Sequence, residues 1–334
     1  MARLLGMAGR LAMICGAALF MAGCAQAIVG TPAPNQAAAQ RALEERTPLT
    51  SDLAFGDLTT IDYCSLIDTD LVAQGGMTDA KAPQPSFDEC AVSGKVGGQD
   101  ATLEVGFLDK GAGSRIPDHD KTLPRGLVAQ RDLSGGGLDS CAYHLAFPDR
   151  VSLELYAYLE NPLSGAGSAS SPLCRLDTTV FDGVVDAVTQ KKVTHLTFAP
   201  GSIGAVDACT LLPDSIVLQQ SGLPLQREQN PSKHRCRWTS TGLGARAALW
   251  FYVDKPPQAA NGATAETIAG RPSVVTATGS SFCVVDTVVA PWPGAKNGEV
   301  EVAETYINVG SMAKDACGIS RAFATAAWPN LPAS

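Results

Sequence analysis

Histidine is scarce in this chain, with four among 334 residues, and aromatic residues reach only 6%. Few histidines mean few general bases. No Gly-x-Ser-x-Gly, His-Glu-x-x-His or Walker-type loop occurs either, which removes the common signatures of serine hydrolases, zinc proteases and P-loop enzymes. Positive charge is also short, with 25 Lys and Arg against 33 Asp and Glu. An acidic chain of this kind argues against nucleic acid as a partner. Its basic stretches, Lys191-Lys192 and Lys233 to Arg237, are too small to change that. Long apolar runs are missing as well. The longest, Leu11 to Gly23, suits a signal-peptide core and is too short for a stable membrane span.

That run leads into Phe20-Met21-Ala22-Gly23-Cys24, behind a leader carrying Arg3 and Arg10 and no acids. Small residues followed at once by cysteine resemble the bacterial lipobox, with Met21 where Leu is usual. The resemblance implies cleavage before Cys24 and lipid attachment to its thiol, with Cys15 discarded. The expectation is export to the outer face of the cell membrane, held there by a lipid at Cys24. Residues 1–23 then form the signal peptide. Residues 24–54, rich in Ala, Pro, Gln and Thr, read as a flexible tether.

Cysteine is what the chain does have. Eight of its ten cysteines form two sets of four, Cys64, Cys90, Cys141, Cys174 and Cys209, Cys236, Cys283, Cys317. Steps within the sets are 26, 51 and 33 residues against 27, 47 and 34. That register predicts a duplication. Residues 55–194 form the first repeat, 195–203 a linker and 204–330 the second repeat. No Cys-x-x-Cys pair or zinc-type spacing is present, so no metal and no cofactor is expected, and the eight cysteines read as disulfides. Four cysteines allow three pairings. The favoured one joins first to second and third to fourth, and each closed loop would add roughly 3–4 kcal/mol by chain entropy.

Hydrophobic periodicity gives both repeats the same order of elements. A short helix opens each, at Cys64 and at Cys209. In the first repeat, strands follow at 89–93, 101–108, 127–131, 141–147 and 151–159, and a helix starts at Cys174. In the second, strands follow at 235–239, 245–253, 274–278, 282–290 and 299–309, and a helix covers Cys317 to Ala327. The expected class is α+β. Each unit is a curved antiparallel sheet of about five strands, with two helices on one face.

The openings Asp62-Tyr63-Cys64-Ser65-Leu66-Ile67 and Asp207-Ala208-Cys209-Thr210-Leu211-Leu212 resemble an uncharacterised domain family of actinobacterial lipoproteins. Cys236-Arg237-Trp238 and Gly270-Arg271-Pro272-Ser273 match it too. The first repeat departs at Cys90-Ala91-Val92 and at Leu123-Pro124-Arg125-Gly126. The resemblance implies a surface-anchored protein and brings no catalytic residues.

Candidate sites are few. Asp118-His119-Asp120 reads as a solvated loop and not a metal site. His144 reads as a satisfied sheet residue, His195 as a surface residue and His234 as solvated beside Lys233. Trp238, Trp250, Trp292 and Trp328 are the aromatic candidates. Trp238 and Trp250 fall on facing strands of one hairpin. They either pack in the core or wall a groove for a lipid, glycan or peptide, with Arg237 and Arg271 holding an anionic head group. The leading functional expectation is non-enzymatic binding or sensing of an envelope ligand or protein. The alternatives are a cell-wall hydrolase or transferase, and a structural accessory subunit of an envelope complex.

Overall fold

Two antiparallel sheets, each covered on one face by helices, make up the body of the protein in a computed structural model. The structure describes residues 45–110, 121–132, 139–161, 170–240, 242–260 and 262–333. Residues Glu45–Ser334 form one compact unit. The expected lipidation site Cys24, the expected signal segment, the first part of the expected tether and Asp118-His119-Asp120 lie outside the described residues.

The first half starts with helix α1 (Ser51–Phe55) and strand β1 (Ile61–Asp62), followed by a 3-10 turn at Tyr63–Leu66. Helix α2 (Thr69–Gln74) and the short strands β2 (Met77–Thr78) and β3 (Gln84–Pro85) come next. The main strands are β4 (Glu89–Val96), β5 (Gln99–Lys110), β7 (Val128–Asp132), β8 (Ser140–Ala146) and β9 (Val151–Leu159), with β6 (Lys121–Thr122) at one edge. Helix α3 (Ser170–Thr189) packs on β8 and β9. Strand β10 (Thr194–His195) pairs with β1 and closes the half.

The second half repeats the plan. A 3-10 turn at Ala208–Thr210 leads to helix α4 (Asp214–Ser221) and to β11 (Gln226–Gln229). Strands β12 (Arg235–Thr239), β13 (Arg246–Asp254), β14 (Thr264–Ile268), β15 (Arg271–Thr278), β16 (Phe282–Pro291) and β17 (Val300–Asn308) follow. Helix α5 (Ala316–Ala327) packs on β16 and β17. The sheets run β2-β4-β5-β9-β8-β7-β6 and β11-β12-β13-β17-β16-β15-β14, the same order relative to their cysteines. Strand β3 pairs with β4 outside the first path.

Local chemistry explains the openings. Asp62 accepts from the N–H of Cys64 at 3.1 Å, and the Ser65 hydroxyl donates back to the Asp62 carbonyl at 2.6 Å. Asp207, Cys209 and Thr210 repeat both bonds at 2.9 and 2.7 Å. The shared Asp-x-Cys-Ser/Thr string is therefore a helix-start cap that fixes each cysteine in place. The four disulfides join Cys64 to Cys90, Cys141 to Cys174, Cys209 to Cys236 and Cys283 to Cys317. Each ties a helical segment to a strand of its own sheet.

Several expectations are corrected. The sheets have more strands than five, because two- to five-residue edge strands carry too few residues to show alternation. The opening of each half is a 3-10 turn and a separate helix, because Asp68 caps a fresh start at Thr69 in the first half and Pro213, which lacks an N–H, precedes a fresh start at Asp214 in the second. Helix α3 begins four residues before Cys174. The folded body reaches back into the expected tether. Leu49 is fully buried, its N–H bonds the Arg125 carbonyl, and Ser51 bonds Asp149. His234, expected in solvent, is 1% exposed.

Candidate functional site

The halves meet along a seam built from the segment before β4. Ser86 accepts from the N–H of Val253 at 3.0 Å. Phe87 is buried in the second half's core, against Phe198, His234 and Trp292 with ring centroids 5.7, 5.2 and 5.5 Å away. Asp88 bonds His234 Nδ1 at 2.9 Å, and His234 Nε2 bonds the Gly204 carbonyl, also at 2.9 Å. With Asp88 ionised both partners are acceptors, an arrangement that favours the doubly protonated, cationic ring. Burial alone would lower its pKa. The Asp88 carboxylate and the Gly204 carbonyl outweigh burial, and the net shift is upward. Gly204 has to be glycine, because a Cβ there would lie 2.6 Å from the Phe198 ring. A bulge in β5 adds a second contact. Phe107, at φ 49°, turns its ring to 6.0 Å from Trp250, and the Arg235 guanidinium lies over that ring at 5.2 Å. Arg237 then reaches both carboxylate oxygens of Asp109 at 2.8 Å.

A pocket of about 380 Å³ opens on this seam. Lys81, Pro83, Gln84 and Pro85 line it from the first half. Leu196 comes from the connection, and Val253, Asp254, Trp292 and Lys296 from the second half. Trp292 stands between pocket and core, half-buried and edge-to-face with Phe87. Its loop is tied by Glu299, whose carboxylate accepts from the N–H groups of Lys296 and Asn297 at 2.8 and 2.9 Å and from the Asn297 side chain at 3.0 Å. The N–H of Asn297 foremost holds that carboxyl at about 2. Asp62 is likewise spent on Cys64 and Thr194.

The faces of the two sheets away from the helices carry a second unusual feature. Burial pushes Glu89 up to about 8, with Glu104 adding to the rise. Glu104, also raised by burial, accepts from the Tyr158 hydroxyl at 2.9 Å. In the other sheet burial takes Glu304 to about 8 and Asp286 to about 6, and these two are cross-strand neighbours. The Tyr252 hydroxyl donates to Asp286 at 3.1 Å. A smaller cavity, about 240 Å³, lies among Glu104, Glu154, Tyr156, Phe107, Arg235 and Arg237.

No family model, curated protein or solved structure matches the chain. The likeness to actinobacterial lipoprotein domains thus rests on its motif residues alone.

The four residues expected to share a groove are not all brought together, since Arg237 lies on the same face of the hairpin as Trp250 and Trp238 lies on the other. Trp238 lies on the helix-covered face of β12, fully buried, and donates to Asp214 at 2.8 Å. Trp250 pairs with Arg235, on the opposite face of the same hairpin, because residues 238 and 250 pair with 247 and 235. Arg237 is held by Asp109 and Glu228. Arg271 holds the carbonyls of Trp328, Leu331 and Pro332 at the end of the chain. The Gly-Arg-Pro-Ser step is structural too, since Ser273 accepts from the buried Trp328 indole at 3.1 Å. Of the other candidates, His144 is buried on β8, and His195 is exposed and bonded to Thr60 at 2.8 Å. Among the described residues no group of three or more His, Cys, Asp or Glu is placed to hold a metal, and no helix is long and apolar enough to cross a membrane. Sequence reasoning missed the seam. One signal was present, the Glu-x-Tyr string at Glu154-Tyr156 and Glu304-Tyr306, which marks equivalent strands in the two halves.

Proposed function

We propose that this protein is an exported, lipid-anchored envelope module that binds its ligand in the seam pocket beside Trp292. The observation that carries the reading is the placement of that pocket. It draws its walls from both halves, so it exists only where they join. Ligand sites favour such junctions, and the volume falls in the range of small-molecule sites. Four disulfides suit an oxidising compartment outside the cytoplasm. We further propose that the halves descend from one duplicated domain. The common strand order, the shared Asp-x-Cys-Ser/Thr caps and the matched cysteines support this. In this reading duplication supplied two copies of a stable unit, and the new function arose at their contact.

The experiment is native mass spectrometry of the protein purified from its own envelope, beside a Trp292→Ala variant. A bound mass carried by the wild type and absent from the variant is the expected result. A bound mass retained by both would remove the pocket from the account. Anchoring is tested separately, since Cys24→Ala should move the protein from the membrane fraction to the soluble one.

A second reading, hydrolysis or group transfer on a cell-wall polymer, draws on the desolvated carboxyls. Glu104 lines a cavity with Glu154, Tyr156 and Arg235, and a raised acid beside a cavity suits general acid catalysis. Release of reducing ends from cell-wall polysaccharide, lost in Glu104→Gln, would establish it.

A further inference from the structure

We propose that the seam pocket is a saccharide site and that its ligand is an uncharged glycan chain; this deepens, and rests on, the reading of that pocket as the functional site. The argument starts with Trp292. Its ring system packs edge-to-face with Phe87, and its indole nitrogen lies beside Gly294, another residue of the pocket wall. A half-buried indole presents an apolar plate and one polar handle. Pro83, Pro85 and Leu196 extend the apolar surface. Polar groups surround it. Gln84 supplies an exposed amide, able to donate and accept at once, and Lys81 and Lys296 supply donors.

Charge narrows the ligand class. The two lysines face three carboxylates, Asp62, Asp254 and Glu299. Asp62 and Glu299 are already committed to their own loops, and Asp254 accepts from the N–H of Lys255 at 2.7 Å. A lining so close to neutral gives no strong field to a phosphate head group or to a polycation. A lipid tail would leave the lysines and the amide without partners in a dry contact. A pyranose ring meets both demands. Its C–H face lies on an aromatic plate, and its hydroxyl rim both donates and accepts. The site is also stiff before any ligand arrives, because Glu299 ties the Trp292 loop and the disulfide at Cys64 ties the opposite wall.

The full-length protein is titrated with soluble oligosaccharides of the gluco, galacto, manno, arabino and N-acetylglucosamine series, following tryptophan fluorescence and heat. Trp292→Ala and the surface variant Gln84→Ala are titrated beside it, with melting curves to check folding. At least one series should bind, and Trp292→Ala should weaken it by at least about tenfold. Gln84→Ala should weaken it by several-fold while melting as the wild type does, which keeps the test valid if Trp292→Ala misfolds. No binding by any series at millimolar concentration, or binding unchanged in both variants, overturns the proposal. Proline-rich peptides and phosphatidylglycerol vesicles form the remaining arms. If one of these binds and Trp292→Ala abolishes it, the pocket stands and the saccharide assignment falls. If Trp292→Ala alters no ligand at all, both fall.

Discussion

Asp177 and Ser320 each lie three residues after the cysteine that ties their helix to the sheet, and each is fully buried. Ser320 is satisfied there. Its hydroxyl donates to the Thr305 carbonyl at 2.9 Å, and the Thr305 hydroxyl reaches the Ser320 carbonyl at 3.2 Å. In the first half Leu155 stands where Thr305 would be, and neither carboxyl oxygen of Asp177 has a hydrogen-bond partner. Burial drives this carboxyl well above its ordinary 3.8, although Arg131 opposes the shift. A raised folded pKa means the folded chain holds a proton that the unfolded chain has released, so Asp177 costs more stability as pH rises above 3.8. Asp177→Ser should therefore raise stability near neutral pH by about 1–3 kcal/mol, with a gain that grows with pH. Chemical denaturation at several pH values measures it. A variant no more stable than the wild type, at any pH, would contradict the assignment of a neutral, unpartnered acid.

Elements differ in how readily the sequence discloses them. Val151 to Leu159 alternates over a full strand, and helix Ala316–Ala327 keeps its apolar residues at helical spacing, so both are legible from pattern alone. The cysteine register was legible for the same reason, because it repeats. The segment from Gln84 to Asp88 was not. It reads as the end of a polar loop, and only long-range contact shows that Phe87 belongs to the other half's core. His234 was hidden by its charged neighbours, Lys233 and Arg235, which turn to solvent and to Phe107 while the imidazole turns inward. Trp292 sits in a Trp-Pro-Gly turn with no period to read. The Asp88–His234 pair gives this segment its test. His234→Gln removes a buried charge and strands Asp88, so it should cost about 3–5 kcal/mol. The pair's contribution is complete below the ordinary histidine value of 6.5 and fades as pH rises through the raised folded value. The gap between wild type and His234→Gln should accordingly narrow on the alkaline side, in urea titrations across that range. A gap independent of pH would show that His234 is not charged in the folded state.

At the scale of the whole molecule these shifts point one way. Glu89 and Glu304, raised to about 8, hold protons in the folded state between the ordinary carboxylate range and that value. Stability therefore falls as pH rises through the window, and the fading of the His234 pair adds to the fall. The protein should be most stable on the acid side of neutrality, and Glu304→Gln should flatten the alkaline decline in a melting series. The central claim is that two similar sheets are locked by Phe87, the Asp88–His234 pair and the Phe107 bulge into one body, and that the functional pocket lies on the lock. Differential scanning calorimetry of the disulfide-intact protein tests this most directly. The account predicts one cooperative transition for the wild type, and its separation into two when Phe87→Ala and His234→Gln are combined. Two independent transitions already present in the wild type, unmoved by those substitutions, would contradict it.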